Sequence, residues 1–136
     1  MLTSKNFYGE SMPAIETDVV QLEKIVRTFA DELVKRAGDE IDAIVWYGST
    51  ARGEGTPDSD IDVAVVLRNQ ENDRLRRIAL DVSAELSLEH DCLLMPFLIS
   101  SARYQEMKQI GRLLVRNIEK DGVSIWQRPA WMKQES

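Results

Sequence analysis

A chain of 136 residues suits one domain built on one core and leaves little room for a second. Hydrophobic residues make up 43% and charged residues 29%, an ordinary globular balance, and no apolar run reaches the roughly 18 residues that would span a bilayer. Lys and Arg number 17 against 23 Asp and Glu, and the net charge of −6 argues against duplex nucleic acid as a partner, because binding its backbone relies on basic residues displacing counterions. A metal-bound nucleotide stays compatible, since bound cations neutralise its phosphates. Met1 to Glu10 lacks a basic start followed by an apolar stretch, so no secretion signal is expected. The single cysteine, Cys92, excludes an internal disulfide; both features fit a cytoplasmic protein.

Residues 1–13 read as a flexible lead-in, broken by Gly9, Ser11 and Pro13. Val19, Leu22, Ile25, Val26, Phe29, Leu33 and Val34 recur at helical spacing and predict a long amphipathic helix over 15–37, stopped by Gly38. Ile41 to Tyr47 (IDAIVWY) is β-branched and aromatic and predicts a strand ending at Gly48. Ser49 to Gly53 suits a brief helical turn capped by Ser49, and Glu54 to Ser59 a loop. Asp60 to Leu67 (DIDVAVVL) is a second strand, apolar on both faces and so central.

A second helix is expected over Glu71 to Leu88 and a third strand over Cys92 to Ile99, where Pro96 implies an edge position or a bulge. Ser101 is the expected cap of a third helix towards Lys108, and Gly111 leaves open whether it continues into Arg112 to Lys120. Val123 to Gln127 suits a short last strand, and residues 128–136 a mobile tail. The expected unit is one domain over 14–127 with its core in 41–127, an α/β (α+β) protein with a small mixed sheet.

The stretch that carries chemistry is Gly48-Ser49-Thr50-Ala51-Arg52-Gly53 followed by Ser59-Asp60-Ile61-Asp62. Strand alternation puts Asp60 and Asp62 on one face, where two carboxylates repel unless a cation joins them. Hard oxygen ligands suit Mg²⁺, which takes its remaining ligands from water and substrate phosphates. Gly48 permits close approach of backbone to a phosphate, and Ser49 opens a turn whose N–H groups face an anion. Arg52 either touches phosphate or pairs with a neighbouring carboxylate to brace the loop. A strand–helix–strand unit with parallel strands would start the strand after Asp91 at the same sheet edge as Asp60, making Asp91 a candidate third metal ligand or proton acceptor.

The segment GSTARGEGTPDSDIDVAVV, with HDCLLMPFLIS and LLVRNIEKDGVSIW after it, resembles the DNA polymerase β-like nucleotidyltransferase superfamily, specifically its minimal nucleotidyltransferases. The resemblance runs from about Ile41 to Trp126. It implies a mixed α/β sheet, two Mg²⁺ ions, and transfer of a nucleoside monophosphate, AMP from ATP or another nucleoside triphosphate, with loss of pyrophosphate. By position, Asp60 and Asp62 match the metal-binding pair, Asp91 the third acidic residue, and Gly48 and Ser49 the phosphate-contacting turn. Many such short members partner a helical HEPN-type protein as antitoxins that adenylylate a toxin.

Two rival readings remain at this point: a non-catalytic antitoxin that neutralises its partner by contact, and nucleotidyl transfer to a small molecule such as an antibiotic. His90 and Cys92 read as structural residues. Lys108, Arg112 and Arg116, and separately Arg74, Arg76 and Arg77, read as solvated basic faces. Trp126 and Trp131 either cover the core or mark a partner surface.

Overall fold

The computed structural model describes residues 14–56 and 58–130. Helix α1 (Ala14–Ala37) leads through a short 3₁₀ turn into strand β1 (Ile41–Tyr47), then β2 (Ile61–Leu67), α2 (Asp73–His90) and β3 (Leu94–Ser100). Helices α3 (Ser101–Gln109) and α4 (Leu113–Asp121) and strand β4 (Val123–Gln127) follow. The strands form one sheet in the order β3-β2-β1-β4. β1 is antiparallel to both β2 and β4, whereas β2 and β3 are parallel, as their helical crossover requires.

Period-2 alternation sends the two faces of β2 into different cores. Ile61, Val63, Val65 and Leu67 pack under α1 and α2 with Val26, Phe29, Leu33, Val82 and Leu86. Ala64 and Val66 face α3 and α4 with Tyr104, Val115 and Ile118. The sheet is therefore the middle layer of three, and β2, covered on both sides, is apolar almost throughout. Val26 and Phe29 of α1 are fully buried, each contributing roughly 1.5–3 kcal/mol of apolar burial.

The mixed sheet, central β2 and parallel β2–β3 pair match the expected architecture, and β1 and β4 have the expected bounds. β3 is an edge strand, which explains how it tolerates Pro96. The N–H of Ile61 donates to the Leu93 carbonyl at 2.8 Å. In a parallel ladder alternate residues turn their backbone groups to one neighbour, so Pro96 falls among those facing away from β2, where no N–H is needed.

Three expectations need correction, and the point left open at Gly111 is settled. Helix α2 starts two residues later than expected, where Asn72 caps it by accepting the Leu75 N–H at 2.9 Å, and ends two residues later, at the left-handed Asp91. The cap of α3 is Ser100, whose hydroxyl accepts the Arg103 N–H, not Ser101. Gly111, at φ +72, ends the α3 segment, so Lys108 lies on α3 and Arg116 on α4 and no single helical stripe forms. Arg128, expected in the tail, is buried: its guanidinium donates to the carbonyls of Gly38 (2.7 Å) and Ile41 (2.6 Å) and to Asp42 (3.1 Å). The proposed lead-in over 1–13, and Trp131 with the rest of the tail, lie outside the described residues. Among the described residues no helix is long and apolar enough to cross a membrane.

Candidate active site

The end of β1 and the start of β2 lie side by side, with Tyr47 opposite Asp62. Gly48 turns the chain there with φ +85, a left-handed conformation that favours glycine. A Cβ at this position would lie 2.7 Å from Asp62 Oδ2, so the missing side chain is what lets the backbone pass the carboxylate. The turn is closed by Arg52 N–H donating to Gly48 O (3.2 Å) and Glu54 N–H to Ser49 O (2.9 Å). It is a single turn rather than a regular helix, so its amides are only in part arranged as at a helix N-terminus.

The turn is anchored from below. The indole N–H of Trp46 donates to Thr50 Oγ at 3.0 Å, and both residues are buried. This bond was not legible in the sequence, although a buried-looking tryptophan four residues before a threonine is the kind of pair that could have flagged it. The Ser49 hydroxyl makes no hydrogen bond among the described residues and is free to donate to a ligand.

Asp62 lies on the face that carries Ala64, Val66 and Tyr47, and alternation places Asp60 there too. Neither carboxylate has an ion-pair or hydrogen-bond partner among the described residues. Asp60 is exposed and Asp62 half-buried. Burial, and then the charge of Asp60, push the Asp62 carboxyl above the ordinary carboxylate range. Burial, and then the charge of Asp62, push the Tyr47 hydroxyl up as well. Two uncompensated carboxylates on one strand face, made costly by each other, are the donor set that a divalent cation relieves, and they fit Mg²⁺.

Arg52 is engaged by Glu54 (3.0 Å) and Asp121 at the end of α4 (3.5 Å). These pairs tie the turn to α4, as a bracing role would have them.

Asp91 stands apart from the pair. It is the C-cap of α2, in left-handed conformation at φ 51, three residues before β3. With His90, Cys92, Ser59 and Thr56 it lines a cavity of about 280 Å³ walled by Val19, Leu22 and Ile25 of α1 and Ile61 of β2. That cavity lies on the α1–α2 face of the sheet, opposite to Asp62. Among the described residues no three Asp, Glu, His or Cys side chains group to hold a metal ion. The β3 residue in register with Asp62 is Met95.

His90 is the last residue of α2, 3.7 Å from Glu89. Cys92 packs against the α1–α2 core, and burial followed by the Asp91 charge raises its thiol pKa. Arg74 pairs with Glu40 and Arg76 with Glu71, as expected of a solvated face. Trp126 half-covers the α1–α2 core.

A mixed sheet presenting an unpaired Asp-x-Asp beside a glycine turn defines a class of enzyme, the nucleotidyltransferases. Residues 24–125 match the family model described as "Nucleotidyltransferase domain", and the chain belongs to that family. It is a transferase of nucleotidyl groups.

Its relatives include "Putative protein adenylyltransferase MJ0141" of Methanocaldococcus jannaschii, 22% identical over 78% of this chain and 100% of that protein. "Putative protein adenylyltransferase MJ1305" of the same organism is 27% identical over 71% of this chain and 67% of that protein. Among solved structures, a toxin–antitoxin with AMP-PNP superposes with a TM-score of 0.54 at 16% identity, covering 79% of this chain and 77% of that one. A "putative nucleotidyltransferase" from Sulfolobus solfataricus gives 0.53 at 18% identity, covering 88% and 92%. At these identities the superpositions establish the fold.

Proposed function

We propose that the chain transfers AMP from ATP, with Mg²⁺, to a hydroxyl on a protein partner, and that this partner is a helical HEPN-type toxin which the chain restrains as its antitoxin. The observation that carries the reading is the pair Asp60 and Asp62, without a partner among the described residues on one face beside Gly48. The protein-adenylyltransferase names of the two archaeal relatives support AMP and a protein acceptor. The fold shared with toxin–antitoxin proteins, one holding AMP-PNP, supports the nucleotide and the partner. An ATP-using enzyme with one unpaired cysteine suits the cytoplasm.

In this reading Asp60 and Asp62 hold the metal, whose charge offsets that of the triphosphate and of the departing pyrophosphate. The Gly48 turn brings backbone close to the phosphates without a Cβ in the way, and the Ser49 hydroxyl donates to a phosphate oxygen. The Trp46–Thr50 bond and the Arg52–Asp121 pair keep the turn fixed while substrate exchanges. The acceptor oxygen bonds to the α-phosphorus, the bond from that phosphorus to the bridging oxygen breaks, pyrophosphate leaves, and the acceptor hydroxyl releases its proton.

The test incubates the protein with α-labelled ATP, Mg²⁺ and the product of the neighbouring gene. Label should appear on the partner and disappear with Asp60→Ala plus Asp62→Ala. Equal labelling by that variant sinks the assignment of the pair. Restraint of the partner that persists without either aspartate favours neutralisation by contact.

A further inference from the structure

Met95 lies beside Asp62 in the sheet, close enough for a side chain there to share an ion with it. The two residues are register partners in the parallel ladder between β2 and β3, on strands about 4.8 Å apart. Leu94 packs into the α1–α2 core while Phe97 and Ile99 pack with the α3–α4 core, so alternation turns Met95 to the face that carries Asp62. The residue is 45% exposed on that face. A thioether is a poor ligand for a hard cation such as Mg²⁺. Asp91, the acidic residue just ahead of β3, lines the cavity on the other face.

We propose that Met95 makes metal binding conditional on the nucleotide. This rests on the nucleotidyltransferase reading above. Two protein carboxylates are too few to hold a divalent cation firmly, and the triphosphate supplies the oxygens that β3 withholds. The metal therefore arrives with ATP, or stays only when ATP is present, and the empty enzyme holds none. The side chain at position 95 thus controls ion retention between turnovers, independently of the chemistry at phosphorus.

The experiment is a Mn²⁺ titration, read by the loss of the free-ion electron paramagnetic resonance signal, of the full chain with and without a non-hydrolysable ATP analogue. Wild type should bind Mn²⁺ at least tenfold more tightly with the analogue than the analogue binds Mn²⁺ alone, and only weakly without it. Met95→Asp should bind Mn²⁺ without the analogue at least tenfold more tightly than wild type, and lose that gain when combined with Asp62→Asn. Met95→Leu should behave as wild type.

Thermal melting in EDTA and in Mn²⁺ supplies a second readout: Met95→Asp should melt below wild type in EDTA and recover in Mn²⁺. Tight nucleotide-free binding by wild type overturns the proposal. So does a folded Met95→Asp variant with unchanged Mn²⁺ affinity, and either result leaves the nucleotidyltransferase reading intact provided the analogue still recruits Mn²⁺ to wild type. Absence of analogue-dependent Mn²⁺ binding in wild type overturns both.

Discussion

Replacing Asp62 by asparagine removes one of two like charges from a strand face while keeping the shape of the side chain. Asp60 and Asp62 are two residues apart along β2, about 6.6 Å. At that separation the repulsion is about 0.6 kcal/mol in a water-like dielectric, and the half-burial of Asp62 takes it to about 1 kcal/mol. For a domain of this size that amount moves the melting midpoint by about 2–4 °C. Asp62→Asn should therefore melt higher than wild type in EDTA at pH 7.

The pH dependence has a definite sign. Folded Asp62 keeps its proton to higher pH than the unfolded chain does, so wild-type stability falls as pH rises from the ordinary carboxylate pKa through the raised one. Asparagine lacks that slope, so the gap between the two proteins opens above the window and closes below about pH 3.9. With Mg²⁺ and ATP the order should invert, because ligand at about 100 times its dissociation constant stabilises wild type by about 2.7 kcal/mol and leaves the variant unchanged. Calorimetry in the two buffers checks both halves. An Asp62→Asn protein that melts lower than wild type in EDTA, or gains equally from Mg²⁺ and ATP, refutes the electrostatic account of the pair.

Gly48→Ala forces a side chain into a left-handed turn and against Asp62 Oδ2; a loss of about 1–3 kcal/mol in urea denaturation is expected, together with weaker ATP binding. Thr50→Val keeps the volume but leaves the Trp46 indole N–H buried without an acceptor, which should cost about 1–3 kcal/mol. Adding Trp46→Phe to it should cost less than the sum of the single changes, as a denaturation cycle will show. Tyr104→Phe removes the hydroxyl that donates to the Glu119 carboxylate at 2.6 Å, worth about 1 kcal/mol after allowance for the exposure of Glu119. The bond to Tyr104, and then that to Lys108, lower the Glu119 pKa, so this stabilisation stands above the ordinary carboxylate pKa and fades as pH falls through the depressed one. Melting curves of the two proteins should converge in acid.

The legible part of the molecule was the part encoded locally. Gly48, Ser49, Asp60 and Asp62 lie within 15 residues, and the period-2 pattern of β2 is enough to put both aspartates on one face. Strand–helix–strand handedness supplied the parallel β2–β3 pair, and Pro96 supplied the edge. Contacts between distant segments carried no such signal. Arg128 looks like a tail residue until its guanidinium is seen closing on the carbonyls of Gly38 and Ile41. Arg52 gave no sequence sign of its pairing with Asp121, 69 positions away.

Asp91 shows why the third position of a site like this resists sequence reasoning. Its place in the chain, between a helix and a strand that starts beside Asp60, is right to within a few residues, yet the outcome depends on where α2 stops. The helix runs two residues further than expected, Asp91 is its left-handed end with its N–H on the Ser87 carbonyl, and β3 begins only at Leu94. Register then assigns Met95, not an acid, to the position beside Asp62. Because side chains alternate, a slip of a single residue would exchange the face that looks at the aspartates for the face that looks at α1 and α2. The candidate donor residues follow from spacing within one loop and one strand, whereas the neighbour of Asp62 on β3 follows from the end of a helix, and only the folded chain shows that end.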